Sequence, residues 1–322
     1  MLYDSRLVAD AASNPPRPAV DAVVITWNRW ELSERCIEHL FASTVDVHVI
    51  VVDNGSEDGT PDRVRERFPQ AELIEFSENR GYGAAANAGA ERATAEFVSI
   101  VNSDALVAPD YFELVLARMR ADDRVGFAAG LSINPATGLV DAAGAIFDVS
   151  LNWAPYLEGV APEEAVVDEK VLGSPPSDAL VFRRAAFARV GGFDSEIFAY
   201  GEDLDMTLRL RAAGWLAASV RGAMVEHLGS ASLGKRTARQ MAMVGWGRGY
   251  VAGRYRMSVW GGPRELLLWL AICASVRDIT PLKRLFAGWR RGRSLPARPI
   301  PDGIYRESWS ASIKKRIDAA RR

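Results

Sequence analysis

The chain has few of the side chains that bind metals in clusters or form cross-links: two cysteines and three histidines among 322 residues. Cys36 and Cys273 lie far apart, so they provide neither the paired spacing of a zinc site nor a disulfide framework. We therefore expect the protein to work in a reducing compartment such as the cytosol.

Long apolar segments are also lacking. The longest apolar run, LLLWLAICASV at residues 266–276, falls short of the roughly 20 residues that a membrane-spanning helix needs. Residues 1–20 lack the apolar centre of a signal peptide. We expect a protein that is neither secreted nor membrane-spanning, with a loose, polar arm over residues 1–18.

The composition is that of a globular protein, with 48% hydrophobic and 25% charged residues. The charge, however, is unevenly distributed. Residues 1–230 hold 19 basic and 36 acidic residues, a net −17, whereas residues 231–322 hold 20 basic and 5 acidic residues, a net +15. This asymmetry predicts two regions with different partners, carboxylates for a metal in the first and an anionic nucleic acid or membrane surface for the second.

Predicted strands and helices alternate from residue 19 to residue 102, the pattern of an α/β protein with a parallel sheet covered on both faces. Ligands of such sheets bind beyond the carboxyl ends of the strands. Three polar clusters fall there: residues 26–28, 53–56 and 102–104. The pattern loosens into short strands and turns over residues 125–175, resumes with a helix near 201–215, and becomes mainly helical and basic after residue 230.

Two of these clusters and a glycine-rich segment could contact a nucleotide. Asp53 ends a strand before an Asn-Gly turn, so its carboxylate could bind a base or ribose, or could merely build an Asx turn. Gly81 and Gly83 permit close backbone approach before a helix, which suits a diphosphate or a tightly packed helix start. The sequence leaves both alternatives open.

Other groups could bind a metal or transfer a proton. Asp104 follows an apolar strand and could hold a divalent cation, or could cap the helix near Pro109. Glu202, Asp203 and Asp205 begin a predicted helix; one of them could be a general base, although acidic residues favour that helix end for electrostatic reasons alone.

The three histidines are predicted to differ in role. His39 lies in a predicted helix and His48 in a predicted strand, so both are expected to be structural. His227 is predicted to lie in a small polar turn after a strand-like stretch, where it could be structural or a metal ligand.

The order of these motifs resembles glycosyltransferase family 2 on the GT-A fold, and in particular its rhamnosyltransferase-like branch. The resemblance covers residues 19–232 and rests on six ordered segments: VVITWNR, VVDNGSEDGT, NRGYGAAANAG, NSD, VFRRAAFARVGGFDSEIFAYGEDLDMTLRLRAAGW and EHLGSAS. It implies a mostly parallel central sheet with flanking helices, plus a basic helical C-terminal extension. The implied division is an arm (1–18), a catalytic domain (19–230, with a donor half 19–104 and an acceptor half 105–230) and a C-terminal region (231–322).

The resemblance also implies roles for single residues. Asp203 would be the catalytic base beside Glu202, and Asp104 and His227 would bind Mg²⁺ or Mn²⁺. Asn102 stands where the family's DxD motif has its first Asp, so the metal site depends mainly on Asp104. The implied donor-binding residues are Thr26, Asn28, Asp53 (at the base), Asn79, Arg80, Gly81, Asn87, Asn102 and Ser103.

The implied activity is inverting transfer of a sugar from a nucleotide diphosphate to a hydroxyl of a glycan or a polyprenyl-diphosphate-linked acceptor, in cell-wall or polysaccharide biosynthesis. L-Rhamnose from dTDP-rhamnose is the expected donor sugar. A UDP-hexose or galactofuranose transferase of the same fold is one alternative, and a catalytically inactive nucleotide-sugar binding protein is another. The missing strict GxGxxG argues against a dinucleotide-dependent enzyme.

The basic C-terminal region mixes tryptophans, arginines and an apolar stretch, which suits an interfacial helix on an anionic membrane. We expect a cytoplasmic protein, peripheral at the inner face of the plasma membrane. The alternative is that these helices pack on the catalytic domain or form a homodimer. Nucleic acid is not an expected partner, because no binding motif is present and the acidic part would repel phosphates.

Overall fold

The computed structural model describes residues 18–148, 151, 153–228, 237–259, 263–302 and 306–307. Within these residues, helices and strands alternate through most of the chain. The strands are β1 (Val20–Thr26), β2 (Val47–Asp53), β3 (Glu72–Glu75), β4 (Phe97–Asn102), β5 (Ala105–Val107), β6 (Val125–Ile133), β7 (Val140–Ala142), β8 (Ala145–Asp148), β9 (Trp153–Pro155), β10 (Ala179–Arg183), β11 (Leu216–His227) and β12 (Arg306–Glu307). The helices are α1 (Trp30–Phe41), α2 (Thr60–Arg67), α3 (Tyr82–Arg92), α4 (Tyr111–Ala121), α5 (Arg184–Arg189), α6 (Glu202–Ala212), α7 (Ala238–Arg254), α8 (Pro263–Val276) and α9 (Thr280–Ser294), with a 3₁₀ turn at Pro162–Glu164.

The central sheet is mixed. Its strand order is β3-β2-β1-β4-β10-β6-β11-β5, with β7 beside β6. The β3-β2-β1-β4 half is parallel throughout, as predicted. Strand β10, however, runs antiparallel to both β4 and β6, and β5 runs antiparallel to β11. The irregular segment before β10 provides no helical crossover, which an antiparallel neighbour does not need.

Both faces of the sheet are covered, because successive side chains of a strand point to opposite faces. In β1, Val20 and Val24 join a core cluster with α1, α2 and α4. Val23 and Ile25 join the cluster on the other face, with α3, α5 and α6. The continuous apolar run of β1 is therefore explained by burial on both sides, as in parallel strands generally.

Strand β11 contains a large bulge. Its pairing with β6 jumps from Val220 opposite Gly130 to Met224 opposite Leu131, so three residues of β11 have no partner there. Gly130 allows this close approach, since a Cβ on it would lie 2.2 Å from the carbonyl oxygen of Ala223. After the bulge the strand returns to register and ends at His227.

The helices α7 and α9 touch through their backbones. Gly245, Gly249 and Gly253 of α7 face α9, and Gly288 and Gly292 of α9 face α7. A Cβ on Gly249 would lie 1.9 Å from a backbone carbonyl oxygen of α9. Small residues spaced four apart permit this kind of close helix pair.

This helix pair also packs on the sheet domain. Tyr250 of α7 and Tyr255, the residue after this helix, share a buried cluster with Phe147 of β8 and with Leu204 and Leu208 of α6. The last described strand, β12, pairs in parallel with β8. The described part of the C-terminal region therefore shares a core with the residues before it.

Ion pairs join the same parts of the chain. Arg298 contacts Asp194 at 2.8 Å and also pairs with Asp205. Asp205 is fully buried and bound in addition by Arg209, at 2.8 Å. Of the three carboxylates that begin α6, Asp205 is thus the one with a structural ion pair. Arg291 pairs with Glu196 on the surface.

Most predicted elements are present, with two differences. His227 is the last residue of β11, not part of a polar turn, and β6 is a nine-residue strand within a stretch predicted to hold only short ones. The predicted arm lies almost entirely outside the described residues. In the described part of the chain, no helix combines the length and apolarity that crossing a membrane requires. The predicted domain boundaries stay predictions.

Candidate active site

A large cleft opens at the carboxyl edge of the parallel strands, with a volume of about 1400 Å³. Its walls come from the ends of β1, β4 and β11, the start of α6, and the helices α7 and α8. This is the edge where the polar clusters of the sequence were predicted to meet.

Sheet register brings Asp104 and His227 together inside this cleft. Asp104 follows β4, and the next residue, Ala105, pairs with His227 across the β5–β11 ladder. Asp104 Oδ1 lies 3.4 Å from His227 Nε2, and Asp178 Oδ1 lies 3.5 Å from His227 Nδ1. The imidazole therefore sits between two carboxylates.

These carboxylates determine the charge of the imidazole. Burial disfavours the charged form of His227, but the hydrogen bond to Asp104 and the negative charges of Asp178 and Asp104 outweigh it. Together they raise the pKa of His227 to about 9.

The pair Asp104–His227 fits a divalent cation. Two ligands that each lie about 2.0–2.2 Å from one ion are separated by roughly 3–3.5 Å, and the observed 3.4 Å falls in that range. Asp178 is placed to orient the imidazole from its other nitrogen, a common arrangement behind metal-bound histidines. Among the described residues, no group of three or more His, Cys, Asp and Glu side chains forms a complete metal site. Further ligands would have to come from a substrate or water.

Glu202 and Asp203 lie on another wall of the cleft, at the start of α6. Gly201, with φ of 108°, makes the turn before them. The backbone N–H of Leu204 donates to Asp203 Oδ1 at 2.7 Å, and the Ser177 side chain also hydrogen-bonds to this carboxylate.

Both carboxyl groups hold their protons more tightly than usual. Burial, together with the charge of Asp203, raises the pKa of Glu202 to about 8. Burial also raises the pKa of Asp203, against the hydrogen bonds from the backbone and Ser177. A raised pKa makes a carboxylate a stronger base, which suits proton abstraction from a hydroxyl.

The NSD segment faces the same cleft. Asn102 and Ser103 line it, and Tyr82 donates a hydrogen bond from its hydroxyl to Asn102 Oδ1 at 3.0 Å. Burial and the charges of Glu202 and Asp203 raise the pKa of Tyr82 well above its ordinary value, so this phenol is a neutral donor.

The glycine-rich segment forms a third part of the lining. Asn79 Oδ1 accepts hydrogen bonds from the Gly81 N–H at 2.9 Å and from Asn54 Nδ2 at 3.1 Å. The N–H of Arg80 in turn donates to Asn54 Oδ1 at 2.8 Å. Gly81 adopts φ of 88° and lies against Phe198, where a Cβ would be 2.7 Å from the carbonyl oxygen. This network fixes the loop that precedes α3.

The residues predicted to bind the base of the nucleotide form a turn beside the cleft. Asp53 is almost fully buried; the Thr26 hydroxyl donates to it at 3.1 Å, and the N–H and hydroxyl of Ser56 donate to it as well. Asn28 takes part in the same turn, since its N–H donates to Ser56 Oγ at 2.7 Å and its Oδ1 accepts from the N–H of Glu57. Asp53 therefore builds an Asx turn, which was one of its two predicted roles. Its other predicted role, binding the nucleotide, stays a prediction.

Two other residues that were predicted to bind the nucleotide-sugar donor make contacts within the protein instead. The guanidinium carbon of Arg80 lies 4.5 Å from the centre of the Phe76 ring. The Asn87 amide exchanges two hydrogen bonds with the backbone of Phe193, at 2.8 and 2.9 Å, and so holds α3 to residues 192–193. Neither Arg80 nor Asn87 is among the described residues that line the cleft.

Comparison with known proteins identifies the family. Residues 21–143 match the model of Glycosyl transferase family 2, and residues 97–287, more than half of the chain, match that of Glycosyl transferase family group 2. The chain belongs to glycosyltransferase family 2. This transferase is 30% identical over 243 residues to N-acetylglucosaminyl-diphospho-decaprenol L-rhamnosyltransferase of Mycobacterium tuberculosis, an alignment covering 68% of this chain and 79% of the relative. The predicted rhamnosyltransferase-like character is thereby confirmed.

Two further comparisons extend this result. The transferase is 37% identical over 114 residues to the succinoglycan biosynthesis protein ExoO of Rhizobium meliloti, covering 34% of this chain and 33% of that one. Its fold is similar to that of the mannosyltransferase PcManGT from Pyrobaculum calidifontis, solved in complex with GDP-Man and Mn²⁺. The TM-score is 0.54 at 21% identity, with 95% of this chain and 81% of the other covered. The predicted GT-A fold is confirmed.

Several cleft residues of the transferase were not singled out from its sequence. Asn54 and Tyr82 lie next to residues of recognised motifs, so their position in the sequence could have identified them as cleft residues. Asp178 had none, because it follows an irregular segment that no periodicity describes. Arg239 and Arg248 come from α7, in the basic region that sequence reasoning assigned as a whole to an anionic partner.

Proposed function

We propose that this transferase moves a sugar, with inversion at the anomeric carbon, from a nucleotide diphosphate donor to a hydroxyl of its acceptor. The observation that carries the proposal is that Asp203 and the Asp104–His227 pair face one cleft in a chain of this family. Asp203 accepts the proton of the acceptor hydroxyl as that oxygen attacks, and Glu202 beside it stays protonated near neutral pH.

The diphosphate side of the donor would be bound by two sets of residues. Asp104 and His227 would hold Mg²⁺ or Mn²⁺, the metal replacing the proton on the imidazole, and the bound ion would supply positive charge to the departing diphosphate. The N–H groups of Arg80, Gly81 and Tyr82 are used within the loop, so the next N–H groups of the first turn of α3 would be the ones to bind phosphate oxygens. Asp178 keeps the His227 ring in place from behind.

For the donor sugar we propose L-rhamnose carried by dTDP, and for the acceptor a polyprenyl-diphosphate-linked glycan of cell-wall or polysaccharide assembly. The support is the relative from Mycobacterium tuberculosis, whose name specifies an L-rhamnosyltransferase acting on N-acetylglucosaminyl-diphospho-decaprenol. A UDP-hexose or galactofuranose donor is the alternative within the same fold.

A screen of nucleotide sugars tests the donor. Thermal unfolding is followed with dTDP-rhamnose, UDP-glucose, UDP-galactofuranose and GDP-mannose, each with Mn²⁺. A ligand at about 100 times its Kd stabilises the folded state by about 2.7 kcal/mol, which should raise the Tm of a chain of this size by about 4 °C. We expect dTDP-rhamnose to give the largest rise and Asp104→Ala to remove its Mn²⁺ dependence; a larger rise with a UDP-sugar would replace the proposed donor.

We also propose that the basic region brings the enzyme to the anionic inner face of the plasma membrane. Leu267, Leu268 and Leu270 of α8 are exposed, at 64%, 54% and 46% of their surface. Each basic residue near an anionic surface adds about 1 kcal/mol of binding. Sedimentation with anionic vesicles, and with neutral ones as the control, tests this: failure to bind either would contradict it.

A further inference from the structure

One end of the cleft is apolar and is formed by the C-terminal helices. Leu268, Trp269 and Ile272 of α8 line it, as do Val244 and Val251 of α7. Positions 268 and 272 are one helical turn apart, so they share one face of α8. Leu268 is 54% exposed, so the described part of the chain leaves about half of this large apolar side chain uncovered at the cleft.

The rest of α8 provides a comparison. Leu267 and Leu270 are exposed on the same helix but do not line the cleft. The apolar surface of the cleft is therefore a separate feature from the general exposure of leucines on α8. A sugar or a nucleotide gains little from such a surface, whereas a hydrocarbon chain gains free energy in proportion to the area it buries.

Basic side chains line the same cleft, and Arg248 lies one helical turn after Val244 on α7. Arg239 and Arg248 of α7 and Arg29 after β1 line the same cleft. The Arg239 guanidinium carbon lies 5.9 Å from the centre of the Trp27 ring, which places it on the cleft wall near the end of β1. Arginine is well suited to bind phosphate oxygens.

The basic and apolar surfaces lie next to the proposed catalytic base. Helix α7 packs directly on the loop before Glu202: Gly247 is so close to Tyr200 that a Cβ on it would lie 1.7 Å from the carbonyl oxygen. The Tyr200 hydroxyl accepts a hydrogen bond from Gln240 of α7 at 2.9 Å. Helix α7 is thus held against the side of the cleft that carries Glu202 and Asp203, where the proposed reaction places the attacking hydroxyl.

We propose that α7 and α8 form a subsite for the lipid of the acceptor, in which Arg239 and Arg248 bind a diphosphate and Leu268 and Ile272, beside the mostly buried Trp269, bind the first isoprene units. The inference rests on the proposed transfer reaction and deepens it, because it assigns the acceptor class to particular residues. In the proposed reaction the Asp104–His227 pair acts on the diphosphate of the donor. The two arginines would bind a different diphosphate, that of the acceptor lipid.

Equilibrium dialysis of the full chain tests the subsite without any transfer. The probe is geranylgeranyl diphosphate below its micelle concentration, compared with isopentenyl diphosphate, which has the same charged group on five carbons. We expect the long-chain probe to bind at least tenfold more tightly. Equal affinity for the two probes would overturn the proposal.

Variants locate the binding surface. Leu268→Ser combined with Ile272→Ser should weaken the long-chain probe about tenfold and leave the short-chain probe unchanged. The matched control, Leu267→Ser, removes an exposed leucine of the same helix outside the cleft and should change neither. If Leu267→Ser weakens binding as much as the double variant, the face adsorbs lipid in general and the subsite is wrong.

One arginine variant and a matched control test the diphosphate-binding part of the subsite. Arg239→Gln should weaken both probes severalfold, and Arg290→Gln, an exposed arginine of α9 outside the cleft, should weaken neither. No effect of Arg239→Gln on either probe would overturn the diphosphate assignment. Since dialysis needs neither donor nor turnover, loss of probe binding with intact donor stabilisation rejects this subsite alone, whereas loss of donor stabilisation rejects the transfer reaction.

Discussion

At the scale of single residues, the structure gives two adjacent carboxyl groups different surroundings. Glu202 and Asp203 begin the same helix, and both line the cleft. Asp203 accepts hydrogen bonds from Ser177 and from the Leu204 N–H, which favour its ionised form. Glu202 Oε2 is buried and has no hydrogen-bond partner among the described residues, and the pKa of Glu202 is raised to about 8. This difference supports the proposal that Asp203, and not Glu202, is the base.

Isosteric variants test this assignment at pH 7. Asp203→Asn removes the proton acceptor and should lower turnover by about 10²–10⁴-fold. Glu202→Gln resembles the protonated acid that is already present, so its turnover should stay within a few-fold of the unaltered enzyme. Initial rates with saturating donor measure both; the reverse order of effects would make Glu202 the base.

Glu202 also predicts a pH dependence of stability. Its folded-state pKa is raised from 4.5 to about 8, so between these pH values the folded protein holds a proton that the unfolded chain releases. The free energy of unfolding should therefore fall as pH rises from about 5 to 8, by an amount on the order of 2 kcal/mol. Urea unfolding at pH 5.5 and 8.5 measures the fall, which should be smaller in Glu202→Gln; identical slopes in the two proteins would contradict the prediction.

At the scale of elements, the predictable parts were those with one dominant pattern. Strands β1, β2 and β4 are mainly apolar, because both of their faces are buried. Each ends in a polar residue, and Asn102 at the end of β4 lines the cleft. The antiparallel direction of β10 could not be predicted, because residues 134–178 lack periodicity. Neither could the contact between Asp104 and His227, since it depends on the register of β5 with β11.

The glycines of α7 are an element-scale feature with a measurable effect. In an open helix, Gly249→Ala would stabilise the protein, since alanine is the better helix former by about 1 kcal/mol. Here its Cβ would meet a carbonyl oxygen of α9 at 1.9 Å, so we expect a loss of about 1–3 kcal/mol instead. Chemical denaturation measures the sign.

A matched glycine shows whether the loss comes from the helix contact. Gly222 lies in the bulge of β11, where a Cβ would meet only the Leu114 side chain, at 3.4 Å. Gly222→Ala should change the free energy of unfolding by less than about 0.5 kcal/mol. Stabilisation by Gly249→Ala would show that α7 and α9 are farther apart than described.

At the scale of the whole molecule, the acidic and basic parts of the chain share one core. Residues from both sides of position 230 form the cluster of Phe147, Leu204, Leu208, Tyr250 and Tyr255. The charge asymmetry correctly marked two regions of different composition, but composition does not indicate that they bury side chains together. That depends on Tyr250 and Tyr255, which enter the shared cluster, and on Gly247 of α7, which lies against Tyr200.

This shared core predicts cooperative unfolding. Scanning calorimetry of the full chain should give one transition, because separating α7 from α6 would expose buried tyrosine and leucine side chains. Leu208→Ala, which opens a cavity in the shared cluster, should lower the midpoint of that single transition. Two transitions, only one of them shifted by Leu208→Ala, would mean that the basic region unfolds independently.

The bulge of β11 determines where this strand can change length. The three residues without partners between Val220 and Met224 lie outside the β6 ladder, so adding or removing a residue there alters a loop-like segment. From Met224 onward the register is fixed by pairing on both sides. A single insertion at position 225 or 226 would turn the next side chains to the opposite face and carry His227 away from Asp104. Relatives of this protein should therefore differ in length at the bulge and keep a constant spacing between it and the histidine.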